Sequence, residues 1–192
     1  MLLAVACPGC GRVGSAPCER CLAQLRPAAE IPTPVGMVGC RALLAYEGPA
    51  RDLVARIKFR NQRAVLGWLA QAMSPLWCPS SVDVVTWAPT IPAHRRSRGF
   101  DHAELLARRV ARRGGVACVS LLARRPGPAQ IGLDRDSRSH GPAFVARRDL
   151  TGASVLLVDD VVTTGSTMAA AAQVLVGAGA ARVVGLAAAY SR

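Results

Sequence analysis

Two aspartates, Asp159 and Asp160, stand side by side after the apolar run Val155 to Val158, and Thr163, Thr164, Gly165, Ser166 and Thr167 follow within a few residues. A valine and leucine run of this length reads as a buried strand, which puts both acids at its carboxyl end, where open α/β sheets bind ligands. Two ionised neighbours there repel each other and resist desolvation, so they need sugar hydroxyls or Mg²⁺ beside them. The hydroxyl-rich turn leads into a helix, whose free N–H groups and positive dipole end suit a phosphate. A diol and a phosphate together describe a ribose 5-phosphate. Asp159 and Asp160 are therefore assigned to the ribose hydroxyls, and Thr163, Thr164, Gly165, Ser166 and Thr167 to the 5-phosphate.

Rival readings of the same stretch are weaker. No lysine follows Gly165, which excludes a P-loop. "VLLVDD" is similar to the first strand of a receiver domain, but only 32 residues follow Asp160, far short of the roughly 100 residues such a domain needs. "GAGAAR" at 177–182 follows a helix instead of preceding one and reads as helix termination. A strand with an acidic end and an N-capped helix, with no ligand at all, is the plain alternative.

A second cluster lies at the front. Cys7, Cys10, Cys18 and Cys21 are spaced C-x2-C-x7-C-x2-C, so each pair can turn two thiolates toward one tetrahedral ion. Structural zinc is favoured over disulfides or a redox C-x-x-C, and four cysteine ligands leave no open position for catalysis. The metal would fold a segment too short to fold alone. Cys40, Cys78 and Cys118 read as ordinary small apolar residues.

The elements that must position these groups alternate between strands and helices. "ALLAYEG" at 42–48, "VDVVTWAP" at 82–89, "VACVSLLAR" at 116–124, "SVLLVDD" at 154–160 and "RVVGLAAAY" at 182–190 read as strands. Helices are expected over "GPARDLVARIKF", "RAVLGWLAQAM", "FDHAELLARRVARR" and the stretch after Gly165, the third starting near Asp101, three residues before Glu104. "TIPAHRRSRG" at 90–99 reads as a basic loop, and 124–142 as a long polar loop of the kind that forms lids. This pattern predicts an α/β fold with a parallel sheet covered on both faces. The expected organisation is a four-cysteine zinc module over 1–30, a linker over 31–41 rich in proline, and the main domain over 42–192.

Composition narrows the class. Of the 192 residues, 51% are hydrophobic and only 4% aromatic, so the core must be built from Ala, Val and Leu. The formal charge is +12, and every basic residue except Lys58 is an arginine. Charge spread in this way suits either a generally basic protein or a surface for nucleic acid. The opening "MLLAVAC" has no basic n-region and too short an apolar run for a signal, and no later run approaches a membrane span. A cytoplasmic protein with no membrane insertion is expected.

The stretch "VLLVDDVVTTGSTM" resembles the phosphoribosyl pyrophosphate motif of type I phosphoribosyltransferases. With the four-cysteine module, "YEGPARDLVARIKFR" at 46–60, "IPAHRRSRGFDHAELLA" at 91–107, "QIGLDRDSR" at 130–138 and "GPAFVAR" at 141–147, the whole chain resembles the ComF family of that superfamily. The resemblance implies a type I phosphoribosyltransferase-like sheet flanked by helices. It also implies binding of 5-phosphoribosyl 1-pyrophosphate with Mg²⁺, and displacement of pyrophosphate from ribose C1 by a nucleophile. The pyrophosphate candidates are Arg95, Arg96 and Arg98, with Lys58 as a point-charge contact; a solvated basic loop and a helix-end cation are the bland readings. Gln130 and Arg138 belong to the lid candidate. A non-catalytic competence factor, binding single-stranded DNA or a competence-machinery protein, is the alternative function. The chain departs from the family pattern at Asp101 and His140, where Asn is common, and at Thr163, where 6-oxopurine enzymes carry a third carboxylate.

Overall fold

The computed structural model describes residues 6–60, 64–125 and 142–192, and the side chains of 56–60, 64, 92, 94 and 98 lie outside that description. After α1 (Glu19–Leu22) come β1 (Gly39–Ala45), α2 (Gly48–Arg60), α3 (Ala64–Met73), β2 (Val84–Trp87), α4 (Pro92–Arg98) and α5 (His102–Gly114). Then follow β3 (Ala117–Cys118), β4 (Leu122–Arg124), β5 (Phe144–Ala146), β6 (Ser154–Val162), α6 (Ser166–Gly177) and β7 (Arg182–Tyr190). The main sheet has the order β1-β7-β6-β2-β3, with every pair parallel. β4 and β5 form a separate antiparallel pair.

Alternation along β6 explains the layering. Leu156 and Val158 join Leu53, Leu66 and Leu106 of α2, α3 and α5 on one face. Val155 and Leu157 join Met168, Ala171 and Leu175 of α6 on the other. All four strand residues are buried, each contributing roughly 1.5–3 kcal/mol of transfer free energy. With both faces covered, β6 has no place for polar residues until it outruns its neighbours. The expected parallel sheet between helices, with an Ala, Val and Leu core, is what forms. Among the described residues no helix is long and apolar enough to cross a membrane.

Four local expectations change. The basic segment 90–99 is not a loop but contains α4, because Pro92 has the backbone angle a first turn requires and Gly99, left-handed at φ 77°, caps the end. The stretch 116–124 is not one strand. Val119 N donates to Val85 O, while Leu121 N turns to the buried Thr86 hydroxyl at 3.3 Å, which carries the chain out of the main sheet into β4. β1 begins at Gly39, earlier than its apolar run, and residues before it cover its open edge: Ala28 N donates to Leu43 O and Ala45 N to Arg26 O. β6 also continues to Val162, so the two aspartates lie within the strand.

Candidate functional site

β2 pairs with β6 only as far as Trp87 opposite Val158. Beyond that point β6 keeps β7 on one side, with Asp159 opposite Ala187, and runs past the end of β2 on the other. This projecting rim carries the acid pair. Successive strand residues face opposite ways, and the surroundings of the two carboxylates follow suit. Asp160 shares a small apolar cavity with Val54, Leu66, Leu106 and His102. Asp159 acts toward the other side, where its charge adds to burial in pushing the Cys40 thiol up to about 11. Both acids are half-buried, and Asp159 Oδ1 accepts the Asp160 N–H at 2.8 Å.

The turn that follows is built for close backbone approach. Gly165 takes φ 77° at the N-cap of α6, and no side chain caps that position. The Thr164 hydroxyl lies 3.1 Å from the Ser166 hydroxyl, so two side-chain oxygens flank the first helical N–H groups. A Cβ at Gly165 would stand 3.4 Å from Pro34, which shows that the segment before β1 packs against this turn. The structure thus brings Asp159, Asp160 and Thr163 to Thr167 together on one strand–turn–helix unit.

Other predicted residues divide. Arg95 and Arg96 are exposed on α4, and Arg95 makes a 3.7 Å ion pair with Glu104. The side chains of Lys58 and Arg98 lie outside the described residues, as do Gln130, Arg138 and His140. Asp101 is buried at the N-cap of α5, accepting from Ala103 N at 3.1 Å, Glu104 N at 3.4 Å and Thr90 N at 2.8 Å. It ties α5 to the loop after β2, which is a structural role. Burial holds its carboxyl above the ordinary range despite those three donors.

Two residues at the rim were not singled out from sequence. Arg124 on β4 lies 5.7 Å from the Phe144 ring and within reach of Pro89 O; burial lowers its basicity, while Asp159 and then Asp101 support its cation. His102 is buried beside Asp160, its ring 4.9 Å from that of Phe100 in an edge-on arrangement. One arginine among so many carried no distinguishing signal, and a histidine inside an amphipathic helix reads as surface or core.

At the front, the sulfurs of Cys7, Cys10, Cys18 and Cys21 all lie within 4.8 Å of one another, and those of Cys10 and Cys18 are 3.7 Å apart. Tetrahedral bonds of about 2.3 Å place sulfurs about 3.8 Å apart, so the four residues fit one metal ion. Burial opposes ionisation of Cys7, but backbone N–H groups of Cys18, Cys10 and Gly9 outweigh it and bring its thiol down to about 6. A Cβ at Gly9 would lie 2.7 Å from Cys21 Sγ, so the knuckle closes only around glycine.

Known proteins share parts of this chain's sequence. The Phosphoribosyl transferase domain family matches residues 97–192. Proteins called DNA utilization protein YhgH, from Salmonella typhi and Salmonella typhimurium, are each 30% identical over 191 residues, covering 92% of this chain and 80% of their own. Among solved structures, glutamine phosphoribosylpyrophosphate (PRPP) amidotransferase from B. subtilis is 25% identical, with a TM-score of 0.42 over 65% of this chain and 25% of its own. Purine phosphoribosyltransferase from Pyrococcus horikoshii Ot3 is 15% identical, with a TM-score of 0.43 over 66% of this chain and 81% of its own. With a domain match covering half the chain, relatives aligned along nearly all of it and the four-cysteine knuckle in front, the protein belongs to the ComF family of type I phosphoribosyltransferases.

Proposed function

We propose that the rim of β6 binds 5-phosphoribosyl 1-pyrophosphate with Mg²⁺ and transfers its phosphoribosyl group to a nucleophile. The observation that carries this reading is the acid pair on the projecting end of β6, a few residues before the hydroxyl-rich start of α6, where Ser166 N donates to the Thr164 hydroxyl. In the reaction, the bond from ribose C1 to pyrophosphate oxygen breaks and a bond from C1 to the nucleophile forms, with positive charge building on the sugar between the two. Asp159 and Asp160 hold the ribose hydroxyls and place negative charge near that cation. Thr163, Thr164, Gly165, Ser166 and Thr167 hold the 5-phosphate through hydroxyls and backbone N–H groups.

The carboxylates of Asp159 and Asp160 are oxygen donors of the kind that would hold Mg²⁺, which when bound would supply charge neutralisation for the leaving pyrophosphate. Arg95, Arg96, Arg98 and Lys58 supply positive charge for the same group, and the segment with Gln130 and Arg138 closes over it to exclude water. Arg124, whose cation the Asp159 charge supports, adds to that positive charge. Thr163 carries no carboxyl group, so a purine leaving group would not be protonated by an acid at that position. Zinc on Cys7, Cys10, Cys18 and Cys21 serves folding only.

Phosphoribosyl pyrophosphate with Mg²⁺, at about one hundred times Kd, should raise the melting temperature by about 5–10 °C. The Asp159→Asn, Asp160→Asn double variant should lose that rise. An unchanged melting curve for the parent protein would reject the assignment.

A second reading, a DNA-handling factor that keeps this fold, is supported by the +12 charge and by relatives named for DNA utilization. Under it, affinity for single-stranded DNA falls steeply with salt and is indifferent to Asp160→Asn. The two readings separate on that variant.

A further inference from the structure

We propose that a groove at the amino ends of β1 and β7 is a second small-molecule site, which takes an aromatic anion of nucleotide size. The cavity measures about 780 Å³, within the roughly 300–1,000 Å³ typical of ligand sites. Trp77, Arg41, Arg182, Glu30 and Val184 line it, above the fully buried Leu156. Its Arg182 end lies away from the acid pair, while Cys40 on its lining is the thiol that the Asp159 charge reaches. Arg182 is in register with Ser154, five residues before Asp159, or about 16 Å along the strand at 3.3 Å per residue.

Charge and shape set the ligand class. Two arginines and one glutamate are among the lining residues, and among the described residues no ion pair engages Arg41 or Arg182. Guanidinium groups grip phosphate or carboxylate oxygens in pairs and also lie flat on rings. Trp77 is a fixed wall: its six-membered ring packs against Gly114 at the end of α5, where a side chain would collide with it. Trp77 with the part-exposed Val184 accepts a planar ring, and the arginines accept the charge attached to it. The phosphoribosyl reading contributes nothing to this site, so the two stand or fall separately.

Cys78 supplies a built-in reporter. It lines the groove and is exposed, with its sulfur 3.2 Å from the Ser80 hydroxyl, whose hydrogen bond is the main cause of its lowered pKa. A thiol of this kind reacts readily with alkylating agents. The test uses the full, zinc-loaded chain without Mg²⁺, with adenosine 5′-monophosphate as the probe. The rate of Cys78 alkylation by iodoacetamide is followed by peptide mass spectrometry.

The probe should slow alkylation several-fold. Arg41→Ser and Arg182→Ser should remove the protection, and both positions are exposed enough to leave the fold intact. The Asp159→Asn, Asp160→Asn variant should keep it, which separates this groove from any binding of the same probe at the rim. The proposal is overturned by an unchanged rate, by equal protection from inorganic phosphate, by protection that survives both arginine variants, or by its loss in the rim variant. Protection by a single-stranded oligonucleotide but not by the mononucleotide would replace the small molecule with a polymer and equally overturn it.

Discussion

The cysteine knuckle and the rim of β6 both gather groups that repel one another when ionised, yet the chain holds them by different means. In the knuckle the buried residues are Cys7, Cys18 and Cys21 with the adjoining Pro8 and Pro17, and among the described residues no larger apolar core packs around them. At the rim, backbone donors do the holding: Asp160 N serves Asp159, and Thr90, Ala103 and Glu104 serve Asp101. The long strand beneath already has both faces buried. A cluster without a core needs an ion to exist, whereas a cluster on a finished sheet exists before its ligand arrives. The first is therefore suited to folding and the second to binding.

Metal removal tests the larger half of that contrast. Ion binding at four thiolates contributes on the order of 10 kcal/mol, so chelation should abolish amide protection over 6–24 while β6 and β7 stay slow to exchange. Protection of the knuckle that survives metal loss would break the comparison outright. A smaller effect follows from Gly9→Ala, whose Cβ would collide with Cys21 Sγ. Overpacking of this kind costs about 1–3 kcal/mol, so metal affinity should fall by about tenfold or more in a competition titration. Unchanged affinity would mean that the knuckle yields more freely than its spacing suggests.

Much of this arrangement was legible in sequence because it is local. The valine and leucine run placed β6, the Asp101 and Glu104 spacing placed the start of α5, and C-x-x-C spacing placed the knuckle. What escaped depends on contacts distant in sequence. Thr86, 35 residues away, takes the Leu121 N–H and splits one expected strand into two. Arg124 becomes a rim residue only because β4 leaves the main sheet and brings it toward Pro89 and Asp159. α4 was missed for a different reason: its arginine-rich composition resembles a loop, while its punctuation by Pro92 and Gly99 is that of a short helix.

Asp101 offers the finest test of how the rim holds charge without a metal. Asp101→Ala deprives three backbone donors of their acceptor and should cost about 2 kcal/mol, or roughly 4–8 °C in melting temperature. Asp101→Asn is subtler, since it keeps one acceptor oxygen and removes the titration. Burial holds the folded carboxyl above its ordinary value of 3.8. The stability linked to that group is then fully present below the unfolded pKa and is lost as pH rises through the folded one. The melting temperature of the parent minus that of Asp101→Asn should therefore fall as pH rises from below 3.8, and then level off. A difference that grows with pH would mean that the three N–H donors outweigh burial, and that backbone at the rim stabilises an anion in the way that the ion does at the knuckle.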